Sequence, residues 1–213
     1  MNGCPISRLR NRHKGKDIWV IASGPSAGYV DPDFFTNKIT IGVNWVWQRF
    51  RCNYVVVKEH EALQAAVCDS QATVIASRRS AGSAQGQLAE ADGPFYVFEH
   101  LPNQLTEMDL SVVGNGKIVV SYSTITSAMH VAAYLGAANI LLVGHGCGTL
   151  DGQMNYPGYH ESPFGPDFYR TWLREIEDQS VAVRAKLQEV YGVRIYSLNP
   201  FLNFGLEGHE YAR

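Results

Sequence analysis

The chain has 213 residues, with 18 Lys and Arg against 20 Asp and Glu, a formal net charge of −2. Apolar residues make up 46% and charged residues 18%, a globular composition that excludes wholesale disorder. The near-neutral charge argues against nucleic-acid binding by bulk electrostatics, and no apolar run approaches the roughly 20 residues that span a bilayer.

In chain order, residues 1–16 read as a basic leader, with Arg8, Arg10, Arg12, Lys14 and Lys16 and no apolar stretch of signal-peptide length behind them. A solvated segment is expected there, with peripheral contact to anionic lipid through residues 8–16 as the alternative. Residues 17–213 read as one domain. Apolar runs over 17–22, 38–43, 54–57, 73–76, 95–98, 139–143 and 193–198 predict strands. Residues 124–135 are almost wholly apolar or small, which predicts a buried helix. Residues 169–191 place Trp172, Ile176, Val183, Leu187 and Val190 at three-to-four-residue steps, which predicts an amphipathic surface helix. Segments 77–93 and 150–167 are rich in small, Gly and Pro residues and read as flexible connections. Strands that alternate with helices, and that are apolar throughout, point to a three-layer α/β fold. Its sheet should be mostly parallel, with helices on both faces.

Cys4, Cys52, Cys68 and Cys147 form no C-x-x-C pair and no zinc-finger spacing. Reduced thiols, a cytoplasmic location and no metal site are expected.

Ligands of open parallel sheets bind beyond the carboxyl ends of the strands. The polar groups expected at that edge are Ser23-Gly24-Pro25-Ser26, Asn44, Glu59-His60, residues 144–149, and Ser123, Thr124 and Ser127 at the start of the buried helix. A helix start favours an anion. Neither G-x-x-x-x-G-K-[ST] nor G-x-G-x-x-G follows the first long strand, so a triphosphate cradle and a dinucleotide fingerprint are unsupported. Ser23 and Ser26 remain suited to a ribose or phosphate. Structural readings compete throughout. Gly24-Pro25 forms a turn whatever it binds, Ser123 to Ser127 suit a helix cap, His130 suits a satisfied core position, and Trp45 and Trp47 suit packing.

The order of these pieces resembles a known family. A strand runs into Gly24-Pro25-Ser26, a second ends in Asn44, a Ser/Thr-led helix follows, and then Leu135-Gly136, three residues, and Ile140-Leu141-Leu142-Val143-Gly144. This resembles the family 42 bacterial sialyltransferases. It also resembles the related family of motility accessory factors and archaeal 6-hydroxymethylpterin diphosphokinases. The resemblance implies a Rossmann-like fold and a CMP-linked acidic sugar as donor. Ser23 stands where that family has Asn, Asn44 matches its nucleotide-contacting Asn, and Gly144-His145-Gly146 replaces its usual Gly-x-Asp.

On that resemblance, Ser26, Asn44 and Ser123 are expected to hold a nucleotide or nucleotide-sugar, and the helix from Thr124 its phosphate. Tyr156 or Tyr159 is expected at the leaving phosphate, and His160 or His145 as general base toward a glycan or protein acceptor. This sugar transfer needs no cofactor. An ATP-dependent pyrophosphokinase would instead need Mg²⁺, with Glu59 and Asp151 as the candidate carboxylates. A non-catalytic nucleotide binder is the third reading, and self-association into a homo-oligomer is left open.

Overall fold

The computed structural model describes residues 3–78, 89–101, 115–121, 123–150, 152–160 and 166–198, the side chains of 166–171 excepted. Its strands are β1 (Cys4–Pro5), β2 (Asp17–Ile21), β3 (Ile39–Val43), β4 (Tyr54–Val57), β5 (Thr73–Ser77), β6 (Tyr96–Leu101), β7 (Lys117–Val119), β8 (Asn139–Val143) and β9 (Arg194–Ser197). They form one 9-stranded sheet in the order β1-β6-β5-β4-β3-β2-β8-β9, with β7 also on β6. Every pairing is parallel. The helices are α1 (His60–Asp69), α2 (Thr124–Tyr134) and α3 (Pro166–Tyr191). The three-layer, Rossmann-like α/β architecture is therefore as expected.

The unbroken apolar runs follow from burial on both faces. Ile18, Val20, Ile140 and Leu142 join a core with α2 and with Val183 and Leu187 of α3. Trp19, Ile21, Leu141 and Val143 point the other way, into a core with α1. That second face also carries one-turn 3-10 helices at Pro25–Tyr29, Pro32–Phe35 and Asn44–Gln48. Pro25 and Pro32 suit a first turn but not a helix interior, so the β2–β3 connection stays in short turns. All residues of α2 are buried, which is why its sequence shows no polar face.

The chain reverses direction across the sheet between β2 and β8. Successive strands β2 to β6 step one way, and β8 and β9 step the other. Such a switch point opens a crevice at the carboxyl edge.

The amino-terminal segment corrects the expectation of a solvated leader. Ile6 and Leu9 are fully buried, and Cys4–Pro5 pairs with β6. The amides of Asn11, His13 and Gly15 donate to the carbonyls of Tyr134, Leu135 and Gly136. A helix end leaves its last carbonyls without intrahelical partners, and this segment supplies them for α2. Arg8, Arg10, Arg12, Lys14 and Lys16 stay exposed around that end, where positive charge suits the helix dipole.

Three elements had no counterpart in the sequence reading: α1, β1 and β7. The helix read over 169–191 starts earlier, at Pro166. Of the two flexible segments, 79–88 and 161–165 lie outside the described residues, as do Asp151 and 199–213. Residues 152–160 are tied down, since the Tyr156 amide donates to the Ser23 carbonyl at 2.9 Å. Among the described residues no helix is long and apolar enough to cross a membrane.

Candidate functional site

The turns after β2 and β8 touch at the switch point. The Gly24 amide donates to the Gly144 carbonyl at 2.8 Å, and a Cβ on Gly24 would lie 2.2 Å from that oxygen. Gly144 itself has φ +68, and its Cβ would lie 2.5 Å from the Ala22 carbonyl oxygen. Only glycine permits both the close approach and the left-handed backbone. Glycine at 24 and 144 is thus a requirement of the crevice floor, and Pro25 is buried beside it.

Two oxygens on this rim are buried without a partner. Ser26 is 6% exposed, and neither its Oγ nor the Oδ1 of Asn44 meets a donor. Trp47 Nε1 is a third such atom, a donor without an acceptor. An unmet buried polar group costs about 1–3 kcal/mol, so such atoms mark places where a ligand can restore the lost bonds. Asn44 also sits at φ +51, a conformation that asparagine tolerates better than most residues. Asn139 Oδ1 is likewise unmet but lies at the opposite edge, where its amide nitrogen donates to Asp17.

The start of α2 lies at the same carboxyl edge, because its other end meets the segment leading into β2. Ser123 has extended backbone and makes no capping bond from its side chain. The Thr126 hydroxyl instead donates to the carbonyls of Ser121 and Ser123. The first amides of α2 are therefore left without a side-chain cap, with Thr124 buried among them. Ser127 corrects the expectation: it is fully buried and donates to the Val119 carbonyl at 2.8 Å, tying α2 to β7. It faces no ligand space.

Residues 152–160 fold over the rim. Tyr156 is buried edge-on to Phe50 and Tyr159, and burial pushes its hydroxyl pKa up, with Arg49 near enough to oppose the shift. Tyr159 is only partly buried. His160 is exposed, and its ring stacks on Trp45 at 4.3 Å between centroids. Burial pushes the Glu59 carboxyl up, and the charges of Lys58 and His160 pull it down. Glu59, His160 and Trp45 therefore meet at the ends of β3 and β4.

The other base candidate lies elsewhere. His145 is 5% exposed, its Nε2 is 3.0 Å from the Ser180 hydroxyl of α3, and burial lowers its pKa to about 4. Its geometry is that of a neutral ring locking the β8 turn to α3. Cys147 lies beside that ring, and burial raises its thiol pKa to about 12. Such a thiol is inert, not nucleophilic. Among the described residues no three His, Cys, Asp or Glu side chains gather as metal ligands. Asp151, the second carboxylate expected of a Mg²⁺ site, lies outside those residues.

Sequence reasoning missed Lys58, a buried ammonium immediately after β4. Its neighbours Glu59 and His60 are exposed, so nothing local in the sequence marked this lysine as the buried one. It also missed Ser180, which no local pattern distinguishes from other polar positions of α3.

No protein-family model and no curated protein matches this sequence. Solved structures do match. A variant of the sialyltransferase CstII in complex with CMP matches with TM-score 0.51 and 13% identity over 91% of this chain and 87% of that one. CstII from Campylobacter jejuni with the substrate analogue CMP-3FNeuAc matches at TM-score 0.50 with the same identity and coverage. The chain is similar in fold to a bacterial sialyltransferase. The MAf glycosyltransferase from Magnetospirillum magneticum AMB-1 also matches, at TM-score 0.50 and 13% identity, over 88% of this chain and 34% of that one. At this identity the sialyltransferase likeness is one of fold.

Proposed function

We propose that this chain is a glycosyltransferase that grips the nucleoside phosphate of a CMP-activated acidic sugar on the rim of β2, β3 and β8. The observation that carries the reading is the pair of buried, unpartnered oxygens, Ser26 Oγ and Asn44 Oδ1, at the carboxyl edge of a sialyltransferase-like sheet. Asn44 and Ser26 bond the nucleoside, while Ser23, Gly24 and Pro25 shape the turn that lets it approach. Ser123, Thr124 and the uncapped amides of α2 face the phosphate, where partial positive charge offsets the negative charge of the leaving group. Tyr159 donates to that phosphate, and Tyr156 braces its ring.

His160 is the general base. It takes the proton of the acceptor hydroxyl as the acceptor oxygen bonds to the sugar's anomeric carbon. The bond from that carbon to the phosphate oxygen breaks, and CMP leaves with the electron pair. The stacked Trp45 ring fixes the imidazole plane.

Calorimetry with CMP tests the nucleotide site. CMP should bind and raise the melting temperature, and Asn44→Gly should weaken it about tenfold while keeping a backbone suited to φ +51. Unchanged CMP affinity in Asn44→Gly would refute the site. His160→Ala should cut transfer from a CMP-sugar by about 10²–10⁴.

A further inference from the structure

Lys58 is 6% exposed, yet among the described residues its ammonium makes no hydrogen bond and no salt bridge. It lines an indentation with Val57, Glu59, His60, Leu63 and Ser77 at the ends of β4 and β5. Strand β4 pairs with β3 through Val56 and Val43, so Lys58 and Asn44 stand at adjacent strand ends on one edge. Glu59 is the neighbouring opposite charge, but it makes no salt bridge with Lys58, and replacement of a buried charge so weakly matched by an apolar side chain would relieve its desolvation cost. Burial lowers the Lys58 pKa to about 8, against the opposing pull of Glu59. At neutral pH the group is therefore still mostly an ammonium. Glu59, exposed at the mouth, accepts hydrogen bonds from hydroxyls. An anion that also carries hydroxyls suits both.

We propose that Lys58 binds the carboxylate of a sugar acid in this indentation, beside the nucleotide rim. The assignment of that sugar to a nucleotide-linked donor rests on the function proposed above; the carboxylate site itself does not. Two sources share the chemistry, the acidic sugar of the donor and an acid-terminated acceptor glycan.

The test uses the full chain and follows acetylation of Lys58 by mass spectrometry. N-acetylneuraminic acid should slow it at least fivefold, and its methyl ester, which lacks the charge, should not. Equal protection by acid and ester, or protection by neither, overturns the proposal. Lys58→Met removes a buried charge and should melt no lower than the parent. It should bind CMP within twofold of the parent. A tenfold loss of CMP-N-acetylneuraminate affinity assigns the carboxylate to the donor. A loss confined to sialyllactose assigns it to the acceptor. Unchanged affinity for both overturns the proposal. If CMP fails to bind the parent chain while the acid still protects Lys58, the nucleotide reading falls and the carboxylate site stands.

Discussion

The two faces of the sheet treat buried polar groups in opposite ways. Under α2 and α3, His130, Ser127 and His145 are met. His130 accepts from the Val119 amide and bonds the Tyr191 hydroxyl, Ser127 donates to Val119, and His145 bonds Ser180. Along the carboxyl rim beside the 3-10 turns such groups are not: Ser26, Asn44 and Trp47 each hold a buried atom without a partner. Matched groups stiffen a core, whereas unmatched ones at a strand end lower stability unless something outside the chain completes them. Burial alone therefore does not distinguish a structural polar residue from a binding one; the state of its hydrogen bonds does.

The contrast can be broken by substitution. His130→Ala should have the largest effect, a loss of about 3–5 kcal/mol in urea unfolding, because it opens a cavity and strands the Val119 amide and the Tyr191 hydroxyl. If it costs under about 1 kcal/mol, the matched face is not the stabilising one.

Acid should act on the same face. Burial lowers His130 to about 3 and His145 to about 4. The unfolded chain takes up protons on both near pH 6.5, while the folded chain does not until the lower values. Stability should hold above about pH 6.5 and fall as pH drops from there toward 3–4, by at most about 1.4 kcal/mol per pH unit for each ring. Replacing either histidine should flatten the slope of unfolding midpoint against pH.

Gly24→Ala should cost about 1–3 kcal/mol and abolish CMP binding, since its Cβ would push the β2 and β8 turns apart. The smallest effects sharpen the comparison most. Ser127→Ala should lower stability by about 1 kcal/mol without touching CMP affinity, and Ser26→Ala should do the reverse, leaving stability equal or higher while weakening CMP. Parallel melting and calorimetry of the pair would show whether the distinction holds.

Much of this was legible beforehand. The apolar runs of β2, β3, β4 and β8 had no polar alternation, which required burial on both faces and hence a parallel sheet. The apolar and small residues over 124–135 predicted a buried helix, and Asn44 and Ser26 were among the polar residues expected at the ends of apolar strands. Less visible was α1, whose short amphipathic stretch sits between polar residues and depends on packing under the 3-10 turns. The basic amino-terminal segment was misread because its two buried anchors, Ile6 and Leu9, are separated by polar residues, and its role lies in capping a helix over a hundred residues away.

Periodicity and residue type, which are local, determined the layers, the sheet direction and the edge where polar groups collect. Tertiary structure alone decided which of those groups were spent. His145 and Ser127 look as suitable as Asn44 in one dimension, but their partners, Ser180 and Val119, arrive from distant chain. Hydrogen-bond satisfaction is a property of pairs brought together by folding, and no single residue carries it in the sequence.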